Sequence, residues 1–163
     1  SAMHSILATL LAGLGATALS DLWGLLRHPL FGVAAPNYAL VGRWFAHMRH
    51  GRYTHAAIAQ ATPMPHERLI GWSAHYAIGV AYAAVLVLLC GPDWLAQPRL
   101  APALLLGLAT LAFPMLWMQP AMGAGIAASR TPHPWQARLH SVLLHSAFGL
   151  GLYLTACLLQ ALS

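Results

Sequence analysis

His75 lies inside an apolar stretch running from Leu69 to about Cys90, with Gly71 four residues before it and Gly79 four after. The stretch is long enough to cross a bilayer as a helix, and an imidazole inside such a helix is costly in hydrocarbon. The two glycines fall on the histidine's own face and bare the backbone around the ring. Another helix, a ligand or a flat cofactor could come close there. Asp21 and His145 stand inside two further apolar runs. Two histidines and a carboxylate suit Zn or Fe, with a fourth position open to water. Methionine as an added ligand moves the preference towards Cu or haem. His75 and His145, each followed by glycine four residues on, could also grip haem from its two faces. Without a metal, Asp21 and His75 can act as a catalytic acid–base pair on a lipid or quinone headgroup.

These residues share a depth. Asp21 falls near the end of its run, while His75 and His145 each follow an arginine, Arg68 and Arg138, by seven residues. At about 1.5 Å per residue each lies roughly 8–10 Å below one membrane surface. Helical phase puts Gly13, Thr17, Ser20, Asp21 and Gly24 on one face of the first helix. Arg68, Gly71, Trp72, His75, Gly79 and Tyr82 share a face of the second. Met115, Met118, Gln119 and Met122 form a stripe on the third, and Arg138, Ser141, His145 and Gly149 align on the fourth. Small and polar residues on one face mark a bundle interior. The candidate metal ligands are therefore His75, His145 and Asp21, and the candidate cofactor contacts are Met118, Gln119 and Ser141. His140 points about 140° away from His145, at about 100° per residue.

Each residue also has a plainer role. Asp21 can simply hydrogen-bond His75 or a serine and lock helices together. The two histidines can be interhelical hydrogen-bond partners, and the methionines can fill irregular gaps. His28, His47, His50, His55, His66 and His133 fall in loops and read as headgroup-level residues.

The elements that position these groups follow from composition. The 163 residues are 59% hydrophobic and 7% charged, far below the charge of an ordinary soluble domain. This predicts one polytopic membrane domain over 3–163, with helices over about 6–26, 69–90, 100–118 and 135–162. Ser1 and Ala2, ahead of Met3, read as a cloning scar. The first run lacks a basic n-region and a convincing cleavage site and carries Asp21, so it reads as a retained helix. Arg27, Arg43, Arg49, Arg52, Arg68, Arg130 and Arg138 all fall in or beside the first and third loops, and only Arg99 falls on the other side. The positive-inside rule then places those loops in the cytoplasm and both termini in the periplasm. The localised positive charge points to membrane lipids as partners, not to nucleic acid. Small-residue faces also permit a homodimer.

The first loop carries its own helical pattern. Tyr38, Val41, Trp44, Phe45 and Met48 make an apolar stripe, with Arg43, His47, Arg49 and His50 mostly turned away from it. That predicts an amphipathic interfacial helix over about 37–50, capped by Gly51. Pro65 in a first turn, with Glu67 two residues on, is expected to start the second membrane helix. Cys90 and Cys157 both fall towards the external face, but matched depth alone does not bring their Cα atoms within bridging distance. They are expected to be free packing residues.

Several motifs carry a resemblance. They are Asp21-Leu22-Trp23, the stretch Tyr38 to Trp44, Gly71-Trp72 with His75 to Gly79, Gln119 to Gly123, Ala127 to Pro132, and Phe148 to Tyr153. On these the chain resembles a bacterial family of small inner-membrane proteins catalogued as a domain of unknown function. The resemblance implies four membrane helices and implies no activity. The expected fold is all-α: an integral membrane four-helix bundle with an interfacial helix in its first cytoplasmic loop. The expected function is a buried His/Asp site that binds a transition metal (Zn, Fe or Cu) and acts on a lipid-phase substrate. The rivals are a haem- or quinone-binding redox protein, and a small transporter or structural membrane partner.

Overall fold

A computed structural model describes all 163 residues. The chain is all-α, and four of its helices are long and apolar enough to cross a membrane: Ala2–Phe31, Glu67–Cys90, Leu100–Met122 and Pro134–Ala161. This is a multi-pass membrane protein with the helix content of a four-helix bundle. Large apolar side chains such as Leu7, Leu25, Leu69, Leu88, Leu105 and Trp135 point outward, as a protein solvated by lipid tails requires.

α1 (Ala2–Phe31) is longer than its apolar run. It continues through Pro29 and stops at Gly32, whose φ of 70° places it in the left-handed region that ends helices. Arg27 is thus a helix residue, and its Nε donates to the Ala34 carbonyl at 2.8 Å. α2 (Tyr38–Met48) starts at Asn37, whose side chain accepts from the Ala39 N–H. α3 (Glu67–Cys90) begins after Pro65, not with it. The Glu67 carboxylate reaches back to accept the Met64 N–H at 2.9 Å, satisfying a donor ahead of the helix. A single turn, α4 (Asp93–Ala96), buries Trp94, whose indole N–H donates to the Arg99 carbonyl.

The third span is not one regular helix. α5 (Leu100–Ala109) gives way at Thr110, a π-helical turn runs from Pro114 to Met118, and α6 (Gln119–Met122) follows. Proline cannot donate to the ladder, and a wider turn absorbs the missing bond. After α6, Gly123 and Gly125 take positive φ, as do Ala127 and Ala128. The left-handed alanines sit where the Arg138 Nε donates to the Ala127 carbonyl at 2.6 Å. α7 (Pro134–Ala161) completes the chain.

The residues gather into two compact units. Unit 1 comprises Ser1–Ala35, Tyr76–Thr110 and Leu143–Ser163; unit 2 comprises Pro36–His75 and Leu111–Val142. The core of unit 1 is built on Ala12, Ala16, Ala83, Leu86, Trp94, Ala103, Phe148, Leu152 and Ala156. Small residues here let helix backbones close up. A Cβ on Gly13 would stand 2.6 Å from the Val80 Cα, and one on Gly151 would stand 2.8 Å from the Ala16 Cα. The core of unit 2 is Trp44, Ile58 and Ala121, with Phe113, Met118 and Met122 packed on it.

In unit 2 the polar side of α2 is covered by protein. Arg43 and His47 are buried, at 9% and 3% exposure. The reason is the segment between α2 and α3, which folds over that side and offers carbonyls for the charged groups to bind. Trp44, on the apolar stripe, is also fully buried, so α2 is covered on both sides. The helix ends at Met48, and Gly51 follows at a φ of 74° within the turn beyond it.

Candidate functional site

α1 carries its buried residues on the expected face, including Gly13, Thr17, Ser20 and Gly24. Asp21 lies half-buried at the edge of that face. Its partner within unit 1 is Tyr76, whose hydroxyl donates to Asp21 Oδ2 at 2.6 Å. This is the length of a strong O–H···O⁻ bond. Tyr76 follows His75 by one position, about 100° around the helix.

His75 belongs to unit 2, and its ring is packed between aromatics. It stacks on Tyr38 with centroids 3.9 Å apart and planes 21° apart, and Trp72 meets it edge-on at 5.8 Å. Tyr38 and Trp72 are themselves in edge contact at 4.9 Å. The glycines around His75 have a direct explanation, because a second helix occupies the bared backbone. A Cβ on Gly71 would collide with the Tyr38 carbonyl oxygen, and one on Gly42 would collide with the Glu67 carbonyl oxygen. α2 and α3 therefore touch backbone to backbone. Gly79 faces the Thr17 hydroxyl in the same way. Of the three occupants open to the sequence reading, the neighbouring helix is the one present beside these glycines.

His145, in unit 1, binds Thr110 through Nδ1 at 2.8 Å. The Thr110 hydroxyl also lies 2.6 Å from the Gly107 carbonyl oxygen. A hydroxyl has one proton, and the carbonyl can only accept. The hydroxyl therefore donates to Gly107, and His145 Nδ1 carries the proton it gives to the Thr110 oxygen. Gly149, one turn on, takes Ala103 and Leu104 of α5 against its Cα, so this face of α7 is also a helix contact.

No group of three or more His, Cys, Asp or Glu side chains gathers to hold an ion. Within its own unit, Asp21 bonds Tyr76, His75 packs on Tyr38 and Trp72, and His145 bonds Thr110. Shared depth was the basis for grouping them, and depth does not specify which way each side chain turns. Among the cofactor candidates, Met118 packs with Met122 on the Trp44 cluster. Gln119 keeps a buried Oε1 without a hydrogen-bond partner, and Ser141 is half-buried. The π turn just before Gln119 breaks the 3.6-residue period on which the methionine stripe rested. His140 is buried on α7 at 8% exposure. Cys90 and Cys157 are free thiols, both half-buried.

The most heavily bonded side chain is Arg43. Its Nε and Nη2 bind the two Glu67 carboxylate oxygens at 2.9 Å each. Its Nη1 donates to the carbonyls of Ile58, Ala59 and Ala61 at 3.1–3.2 Å. The Glu67 hydrogen bonds raise the guanidinium above its ordinary range against the opposing effect of burial. His47 adds a bond from Nε2 to the Thr62 carbonyl at 2.8 Å. The available signal for this hub was arithmetic: the chain has three acids, and one of them, Glu67, follows the α2 arginine with no other acid between.

The chain belongs to the family described as "Protein of unknown function (DUF2938)", which matches residues 10–159. Comparison with curated proteins and comparison with solved structures find no match.

Proposed function

We propose that this DUF2938 member is a bacterial inner-membrane protein in which Asp21 and Tyr76 handle a proton for a lipid-phase molecule, a quinone or lipid headgroup. The observation that carries the reading is the 2.6 Å hydrogen bond between these residues on two apolar spans. A carboxylate within a membrane helix is expensive to keep and is by default a functional candidate. As a base, Asp21 would take a proton from a headgroup hydroxyl onto its carboxylate. The Tyr76 O–H, already donating to Oδ2, would stabilise the charged state before transfer and guide the proton back afterwards. The arginine distribution supports a cytoplasmic position for the first and third loops and a periplasmic one for both termini.

The test uses the full chain in lipid nanodiscs with two probes, an azido-quinone and a phospholipid bearing a headgroup diazirine. Photolabelling should map to α1 around Asp21 and should fall strongly in Asp21→Asn, which keeps the shape and loses the base. Equal labelling of wild type and Asp21→Asn by both probes would sink the proposal. Orientation is read separately. A cysteine placed at Thr54 should react with an impermeant thiol reagent only after the inner membrane is opened; reaction in intact spheroplasts would reverse the topology.

A further inference from the structure

Unit 2 contains a second pair of titratable groups that the reading above does not use. His47 on α2 and His55 in the following segment meet edge-on, with ring centroids 5.0 Å apart. His47 is almost completely buried and bonds the Thr62 carbonyl through Nε2. A carbonyl only accepts, so that nitrogen carries the hydrogen. His55 Nε2 is buried and has no hydrogen-bond partner. The same segment is tied down at two points. The His55 backbone N–H donates to the Ala121 carbonyl of α6 at 2.7 Å, and the Trp44 indole N–H donates to the Tyr53 carbonyl at 3.0 Å.

We propose that His47 and His55 form an acid-sensitive latch, which holds residues 49–57 against α2 and α6 at neutral pH and releases them on acidification. The geometry supplies the mechanism. A neutral His55 can leave Nε2 as a bare acceptor. A protonated one must place an N–H, and its charge, at a buried site where nothing accepts it. The charged and titratable groups facing the ring are of one sign: His47 from α2 and Arg52 from its own segment. The contact from α6 is the Ala121 carbonyl, already bound to the His55 main chain. The one acid in unit 2, Glu67, acts on the His47 side and is committed to Arg43. It can offset a proton on His47 more readily than one on His55.

Burial, and then the charges of His47 and Arg52, hold the His55 imidazole below its ordinary range. The sign follows from linkage. The released segment, with an ordinary histidine near pH 6.5, binds a proton more readily than the latched one. The latch is therefore fully closed above that pH. It weakens as pH falls from there towards the latched value, by up to about tenfold in the latched-to-released ratio per pH unit.

Hydrogen exchange of the full chain in nanodiscs reads the latch directly. After correction for intrinsic rates, amides of 49–57 should exchange severalfold and up to about tenfold faster at about pH 5.5 than at about pH 7.5. His55→Gln, which keeps a polar side chain of similar size, should remove that pH dependence. Arg52→Gln changes an exposed residue that the fold does not need. It should weaken the acid response, because one like charge against His55 is gone. A wild-type segment whose corrected exchange is the same at both pH values overturns the latch. So does an unchanged acid response in both variants.

Discussion

The two units keep their polar groups in order by different means. In unit 1, helices approach through glycine and alanine, and the side-chain bonds between them join one pair of groups each, as in Tyr76 to Asp21 and His145 to Thr110. In unit 2, one arginine makes five hydrogen bonds, two to a carboxylate and three to carbonyls of a segment that is largely non-helical. A regular membrane helix satisfies its own backbone, so packing needs only proximity. The segment between α2 and α3 has carbonyls that no helix pairs, and a buried donor must supply what regular structure would have supplied.

The comparison is broken most directly at Arg43. Arg43→Met leaves the largely covered Glu67 carboxylate without its cation and the Ala59 and Ala61 carbonyls without the guanidinium donor, while Ile58 keeps the Ala61 N–H. A loss of about 3–5 kcal/mol is expected, as for a buried pair deprived of one member. Hydrogen exchange should show it in residues 49–66 and leave unit 1 protected. The double variant Arg43→Met/Glu67→Leu should recover part of the loss, because it removes the stranded charge. If unit 1 loses protection to the same degree, the two units do not differ in the way described.

Backbone contact gives the next largest effect. Gly71→Ala would drive a methyl into the Tyr38 carbonyl oxygen, which cannot move without moving α2. Gly79→Ala would meet the Thr17 hydroxyl, which can rotate at χ1. Overpacking typically costs about 1–3 kcal/mol, and Gly71→Ala should lie at or above the top of that range with Gly79→Ala near the bottom. Thermal unfolding in detergent ranks them. The reverse order would mean that α2 is free to shift away from α3.

These two positions also show how far the residues alone carry the argument. Four apolar runs with proline and glycine boundaries suffice for the spans, because bilayer thickness sets a length that periodicity can meet. The glycines flanking His75 correctly marked a bared backbone. What approaches it could not be read, since it comes from α2, across a segment whose path no periodicity encodes. The same holds for α2 itself. Its two-sided pattern suits a water–lipid interface and suits equally a helix covered by its own following segment. Asp21 was singled out by the cost of a carboxylate in hydrocarbon. Tyr76 was passed over because an apolar ring with one hydroxyl looks like ordinary packing until its partner is known. Asp21, His75 and His145 are legible as polar groups in spans, while shared depth by itself carries no side-chain direction.

Within unit 1, the Asp21–Tyr76 bond separates packing from chemistry. Tyr76→Phe removes the donor and should cost about 0.6–2 kcal/mol, the range for hydrogen bonds between membrane helices. Asp21→Asn keeps an acceptor and should cost less. Unfolding of the two variants in mild detergent checks the order. A loss in Asp21→Asn well above that in Tyr76→Phe would show that the carboxylate serves the fold through more than this bond.

The smallest effect concerns Thr110, where a single hydroxyl is asked to do two things. It donates to Gly107 and accepts from His145, and it sits where α5 stops being helical. Thr110→Val keeps the branched shape and removes both bonds. The Gly107 carbonyl, in the last turn of α5 where ladder partners run out, loses the hydroxyl that binds it. The His145 Nδ1–H loses its acceptor, which a net hydrogen bond prices at about 0.5–1.5 kcal/mol. Stability alone would not distinguish this from a minor packing change. The ring nitrogen shifts of a 15N-histidine sample do, because the wild-type pattern should be that of an Nδ1–H imidazole. Thr110→Ser should preserve that pattern and Thr110→Val should lose its fixed tautomer. A wild-type signal of the Nε2–H form would show that the hydroxyl donates to the ring and leaves the Gly107 carbonyl to the helix alone.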